Sequence, residues 1–284
     1  MKVTLIDYTQ DAENLLIFTK QTRLNLCPGL MDEICNWPQE KKLAELAYMA
    51  DTIPSSWEFV SYTFLVEGVS RAYTHQQVRT RAASYAQQSM RVVNVSDFDY
   101  VFTDRNQSDD IAMRLIQECI ENIKTTYAEL IARGQAVEDA RGILPTNIAT
   151  NIVCKFNMRT FVELAKSRSG GRTQSEYQTV INAMVNAVLA VHPWMDKFLF
   201  GDKGRDYFAE LEAFAKEQFG GDLIAKGKLL KIVDKLRKAA PNGTAKQIEI
   251  LRRLVSWKTA DKPYISFDVL EAFANQLEGG EDFE

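Results

Sequence analysis

The stretch EFVSYTFLVEGVSRAYTHQQVRTRAASYAQQSMRVV, from Glu58 to Val93, does most to limit what this chain can fold into. Its first nine residues alternate and are rich in aromatic and β-branched side chains, which predicts a strand. A second alternating run, MKVTLIDYT at the N-terminus, predicts another. Gly68 is expected to break the strand pattern. Val69, Ala72, Tyr73 and Val78 then fall at the spacing of a short helix from Val69 to about Thr80, which puts Gln76 and Arg79 on one face at i, i+3. A loop or short strand follows. Arg71, Arg79, Arg81 and Arg91 thus gather among glutamines and serines, although the chain as a whole is not basic: 34 Lys+Arg stand against 38 Asp+Glu, a net charge of -4. That balance argues against general adhesion to DNA or anionic membrane and for a focused site for a small phosphorylated ligand.

At 284 residues and 46% hydrophobic the chain can bury a large core. Ser108, Asp109 and Asp110 mark a helix start, and Ile111, Leu115, Cys119, Ile123, Tyr127 and Leu130 continue it at helical spacing, as core scaffold. After Pro145 a strand runs through Ile152, Val153 and Phe156. Asn157 can cap a helix from Met158 to about Lys166, and a Gly170-Gly171 turn leads to a helix from Thr173 to Val191, stopped by Pro193. Strands with packed helices make this an α+β fold. Beyond Gly220-Gly221 a lysine-rich helical pair hinges at PNGT. Its residues 222–258 hold ten Lys/Arg against three Asp/Glu. That excess reads as a solvated face with Leu229, Ile232, Val233 and Leu236 inward, in preference to a nucleic-acid contact. The domains expected are 1–219 and 220–284, the latter ending in a frayed acidic tail, EGGEDFE.

No apolar run reaches bilayer length, so a soluble cytoplasmic protein without membrane contact is expected, in a host cytoplasm if the source is viral. Cys27, Cys35, Cys119 and Cys154 form no CxxC pair, and His75 and His192 are the only histidines. This argues against a Cys/His zinc site, disfavours Ser/His/Asp or Cys/His catalysis, and leaves each cysteine as a small buried hydrophobe.

The run HQQVRTRAASYAQQSMR resembles the signature of the flavin-dependent thymidylate synthases, HQ-x-V-RHR-x-x-S-x-x-x-x-S-x-R-Y. EDARGILP (Glu138 to Pro145), NMRTF (Asn157 to Phe161), Arg168 and TQSEY (Thr173 to Tyr177) follow the second half of that family in order and spacing. The resemblance spans roughly Trp57 to Val191. It implies a central antiparallel sheet packed with helices, carrying a C-terminal helical extension, and a homotetramer whose sites are shared between subunits. It also implies one-carbon transfer to C5 of dUMP from methylenetetrahydrofolate, with FAD as hydride carrier and NADPH as reductant, giving dTMP.

By the same resemblance Gln76, Gln87, Ser89, Arg91 and Arg141 hold the nucleotide. Arg168 lies against the uracil carbonyls as the catalytic charge. Arg79, Thr80, Arg81, Ser84, Gln87, Asn157, Arg159, Glu163 and Arg172 line the flavin. Several positions depart from the family: Thr80 replaces the histidine of RHR, Val92 the tyrosine after the last arginine, Phe59 the histidine of an EH pair, and Arg172 a further histidine. The departures imply an intact nucleotide half and an altered one-carbon half. Two alternatives therefore stand beside the methyl transfer: hydroxymethylation of dUMP or dCMP, as viruses with modified bases require, and nucleotide binding without catalysis.

Overall fold

The computed structural model describes residues 1–24, 27–91, 98–168 and 173–201, with isolated positions at 227, 230, 231 and 234. The chain divides into two units between Gly201 and Asp202. Apart from those isolated positions, the predicted basic helical pair lies outside the described residues, as do the acidic tail, the Gly170-Gly171 turn, Val92 and Arg172.

The first unit is α+β. Strand β1 (Lys2–Tyr8) is followed by α1 (Ala12–Gln21), α2 (Leu30–Cys35), α3 (Gln39–Thr52) and a 3-10 turn (Pro54–Phe59) before β2 (Ser61–Ser70). Next come α4 (Arg71–Gln77), β3 (Ala83–Gln87), α5 (Asp104–Gln107), α6 (Asp110–Ala132) and α7 (Val137–Ala140). A second 3-10 turn (Arg141–Ile143) precedes β4 (Ala149–Asn157), α8 (Met158–Arg168), α9 (Ser175–Val191) and α10 (Met195–Phe200). The strands form one antiparallel sheet in the order β1-β2-β4-β3.

Strand alternation decides which face is covered. Tyr62, Phe64 and Val66 of β2 and Ile152, Cys154 and Phe156 of β4 are buried, whereas their neighbours along each strand are half-buried or exposed. α8 seals the inner face, stacking Phe161 on Phe64 with centroids 5.5 Å apart. Because Ser61 pairs with Asn157 and Ser70 with Ala149, α4 leaves one end of the sheet and α8 the other. α8 then runs back across the inner face and delivers Arg168, its last residue, to the end where α4 begins.

The corner between β2 and α4 is held by a carboxylate. Ser70 caps α4, its Oγ accepting from the Tyr73 amide at 3.0 Å. The Ser70 hydroxyl donates to Glu176 Oε2 at 2.6 Å and its amide to Oε1 at 2.7 Å. Glu176 sits in the first turn of α9, so one side chain joins the starts of two helices, where negative charge is favoured.

Several expectations need correction. β2 does not end at Gly68: the glycine sits at a register shift with φ +64, donates to Asn151 Oδ1 at 2.9 Å, and lets the strand continue to Ser70. α4 therefore starts two residues later than predicted and ends at Gln77, leaving Arg79 in a turn closed by its amide on the Gln76 carbonyl. Glu58 and Phe59 belong to the 3-10 turn that Pro54 opens, ahead of the strand. α6 begins where expected, with Asp109 Oδ1 accepting from the Ile111 and Ala112 amides, but it is no core scaffold. Only Ile120 and Tyr127 along it are buried, and Ile111 and Leu115 are 66% and 57% exposed. Cys154 is buried, its thiol pushed up to about 12 by burial, whereas Cys35 and Cys119 are exposed. No described helix is long and apolar enough to cross a membrane.

Two tests follow from this packing. His192 ends α9 buried, with Nδ1 2.9 Å from the Tyr62 hydroxyl, and burial lowers its pKa against a smaller upward pull from Glu13. Below its unfolded pKa of about 6.5 the unfolded chain takes up a proton that the folded chain refuses, so stability falls as the pH drops through that value. Urea titrations between pH 7.5 and 5.5 should show this slope in the parent and a shallower one in His192→Gln. At the corner, Glu176→Ala should lower unfolding free energy by about 2 kcal/mol, since it strips both Ser70 donors of a charged acceptor; a loss under about 0.5 kcal/mol would show that the corner is held otherwise.

Candidate active site

α4 and β3 set the floor of the site. The buried Gln77 receives the Tyr73 hydroxyl on Oε1 at 3.0 Å, and the Tyr85 hydroxyl of β3 is shared between the Thr80 and Gln77 carbonyls at 2.8 and 2.9 Å. Burial pushes the Tyr85 phenol up to about 12, so it remains a donor. Gln87 donates to the Thr74 hydroxyl at 2.7 Å. These contacts hold the turn carrying Arg79, Thr80 and Arg81 against the sheet edge. Gln76 donates to Gln174 Oε1, and Gln174 donates to Glu176 at 3.4 Å, so the motif helix and the start of α9 are tied side chain to side chain.

Cationic groups converge at the same end. Arg71 donates to the Gln88 carbonyl, while its Nε is buried without a partner among the described residues. Burial first, and the charge of Arg141 second, lower its pKa from the ordinary arginine value. A guanidinium disfavoured by burial and by a second positive charge is relieved by a bound anion. Arg91 places Nε and Nη2 on Glu138 Oε2 at 3.0 and 2.8 Å, and Arg141 donates to the Glu138 carbonyl at 3.1 Å. Ser89 Oγ accepts from the Arg91 amide. The segments around Arg91 and Glu138 therefore meet within one chain.

Arg168 stands apart from that cluster, with its guanidinium carbon 5.1 Å from the centroid of the buried Tyr177 ring. Its Nε is also buried and without a partner among the described residues. A fixed cation in a dry setting is suited to stabilising charge that develops on a neighbouring ring.

The predicted flavin residues are only partly brought together. Arg79 and Arg81 are exposed on the turn after α4. Arg159 bridges Glu58 at 2.9 Å and Glu163 at 3.2 Å, and Asn157 Oδ1 caps α8 by accepting from the Thr160 amide at 2.8 Å. Ser84 lies on the exposed face of β3, opposite Gln87, so these two do not share one lining. Phe59 is 60% exposed beside the Glu58–Arg159 bridge. The exposed guanidinium groups of Arg79 and Arg81 and the unpartnered buried nitrogens fit a polyanionic nucleotide cofactor and a nucleotide substrate. Sequence reasoning gave no role to Arg71, Glu138, Glu176 or Tyr177. Arg71 was visible only as a fourth arginine, and Glu138 and Tyr177 only as ends of matched motifs.

Comparison with known proteins supplies the context. The family model described as thymidylate synthase complementing protein matches residues 4–194. The chain is 31% identical over 216 residues to the flavin-dependent thymidylate synthase of Clostridium tetani, covering 70% of this chain and 86% of that one. Its identity to the enzyme of that name from Nitratidesulfovibrio vulgaris is 37% over 164 residues, covering 55% of this chain and 67% of the relative. The crystal structure of thymidylate synthase X from Helicobacter pylori with FAD and dUMP shares the fold. Its TM-score is 0.56 at 19% identity, over 71% of this chain and 98% of that one. On the family model, which spans more than half of the chain, and on these relatives, the chain belongs to the flavin-dependent thymidylate synthase family.

Proposed function

We propose that this protein is a flavin-dependent thymidylate synthase that converts dUMP to dTMP, with residues 1–219 as its catalytic domain. The convergence of Arg71, Arg91 and Arg141 at the end of the sheet that also receives Arg168 carries this reading. Bound methylenetetrahydrofolate would supply the one-carbon unit, FAD the hydride and NADPH the reducing equivalents. The rest falls to the chain. Arg91 gives up the Glu138 carboxylate and turns its fork to the nucleotide phosphate, beside Ser89, Arg141 and Arg71. Guanidinium suits this role because it meets phosphate in a planar, bidentate fashion and keeps its charge when desolvated. Gln76, already bonded to Gln174, presents its remaining amide capacity towards the nucleotide, and Gln87 supports it from β3. Arg168 lies against the pyrimidine carbonyls and holds the ring as it gains negative charge, so no cysteine nucleophile is required. Arg79, Arg81, Arg159 and Arg172 serve the flavin phosphates and ring, with Thr80, Ser84, Asn157 and Glu163 alongside.

The enzyme acts in the cytoplasm as a homotetramer. The uncovered Ile111 and Leu115 of α6 and the half-buried outer face of the sheet support assembly, since subunits of closed-symmetry oligomers bury such surfaces. Sedimentation should show a tetramer, and a stable, active monomer would contradict this.

The purified protein should carry a flavin absorbance band. Incubated with dUMP, methylenetetrahydrofolate, FAD and NADPH, it should yield a nucleotide heavier by a methyl group. A hydroxymethylated product, or no product from flavin-loaded protein, would overturn the reading. Binding separates the phosphate site from the chemistry: dUMP should bind more tightly than deoxyuridine, and Arg91→Ala should cost about 1.5–3 kcal/mol of dUMP affinity. Arg168→Ala should abolish turnover with a much smaller effect on dUMP binding, because its charge is needed most in the transition state. Equal losses in both would move Arg168 away from the ring.

A further inference from the structure

What lies beneath the Arg168 guanidinium is the face of an aromatic ring. Tyr177 is fully buried in the first turn of α9, with its centroid 5.1 Å from Arg168 Cζ. The ring is itself held. It meets the Tyr73 ring edge to face at 5.1 Å and 82°. Tyr73 is fixed through its hydroxyl to Gln77 and through its amide to the Ser70 cap. A continuous stack therefore runs from α4 through α9 to the last residue of α8, and one end of it carries the catalytic cation.

The polar end of Tyr177 needs its own explanation. Its hydroxyl is buried, with the Arg168 guanidinium and the Thr80 side chain acting on it. An aliphatic side chain would bury no polar atom at this position. What an aliphatic side chain cannot supply is a π-face for a cation. Burial raises the Tyr177 phenol, opposed by the charge of Arg168 and then by the Thr80 hydroxyl, so both side chains are its neighbours.

We infer that Tyr177 is the positioning residue for Arg168: its ring face sets the height and plane of the guanidinium. This rests on the proposed contact of Arg168 with the pyrimidine. The ring acts only through Arg168, and the phosphate is held by other arginines. Loss of the ring should therefore reduce turnover and spare nucleotide binding.

The test is a set of variants of the flavin-loaded enzyme assayed for kcat and for dUMP affinity. Tyr177→Leu and Tyr177→Met should each lower kcat about tenfold, as expected for a misplaced catalytic charge, with dUMP Kd within about twofold of the parent. Tyr177→Phe keeps the ring and should retain kcat within about threefold. Parental kcat in Tyr177→Leu or Tyr177→Met overturns the inference. So does a Tyr177→Phe enzyme as impaired as Tyr177→Leu, or a parallel loss of dUMP affinity. The phenylalanine variant keeps the ring packing, and its impairment overturns the inference even if the aliphatic variants do not fold. Arg168→Ala, assayed alongside, separates the two levels. Impaired Arg168→Ala with parental Tyr177→Leu sinks only the positioning role, whereas parental Arg168→Ala sinks the role of Arg168 and this inference with it.

Discussion

The two-point contact between the Glu176 carboxylate and the amide and hydroxyl of Ser70 organises this half of the molecule. It fixes where β2 stops and α4 starts, and with that the direction in which Gln76 and the following arginines point. It also fixes the start of α9, and so the position of Tyr177 one residue later. A charged acceptor with two short donors is among the stronger contacts a partly buried corner can hold, and here it also meets two helix starts. Without it, α4 and α9 would be joined mainly by the Gln76–Gln174 bond and the packing of Tyr73 on Tyr177.

The electrostatics of the site follow from what this frame brings together. Burial first, and the charge of Arg141 second, disfavour the charged form of Arg71. Arg91 is relieved by Glu138. The pairing is between groups 64% and 49% exposed, so it contributes little to stability and is easily exchanged for a phosphate. The arrangement is cationic enough to want an anion, while a carboxylate from its own chain keeps one arm in place. Arg168, by contrast, is kept over an aromatic face rather than beside a carboxylate, so its charge is left to act on a neighbouring ring.

Much of this was legible in the amino-acid order. Alternation exposed β2 and β4, the Asp109 and Asn157 caps marked α6 and α8, and the spacing of the arginine motif carried the family. The misses have local physical causes. Gly68 reads as a breaker because a glycine in a strand usually is one, and only cross-strand pairing with the β4 side shows that it serves a bulge. The helical period of α6 is genuine, but periodicity cannot tell a face packed within the chain from one left for another surface. α1, α2 and α3 escaped because the first and third show only weak amphipathic patterns and the second has six residues. In the site, residues given by motif matches were recoverable, whereas Glu138, Glu176 and Tyr177 act through contacts between distant segments, which a linear pattern does not encode.

The central claim is that a pyrimidine nucleotide lies with its phosphate among Arg71, Arg91 and Arg141 and its reactive carbon near Arg168. Anomalous diffraction from crystals of the flavin-loaded protein with 5-bromo-dUMP would locate the C5 position directly. The account expects the bromine peak beside Arg168, the phosphate within hydrogen-bonding distance of Arg91 and Arg141, and Glu138 displaced from the Arg91 fork. A bromine peak remote from Arg168, or a phosphate bound elsewhere with the Arg91–Glu138 pair intact, would contradict it.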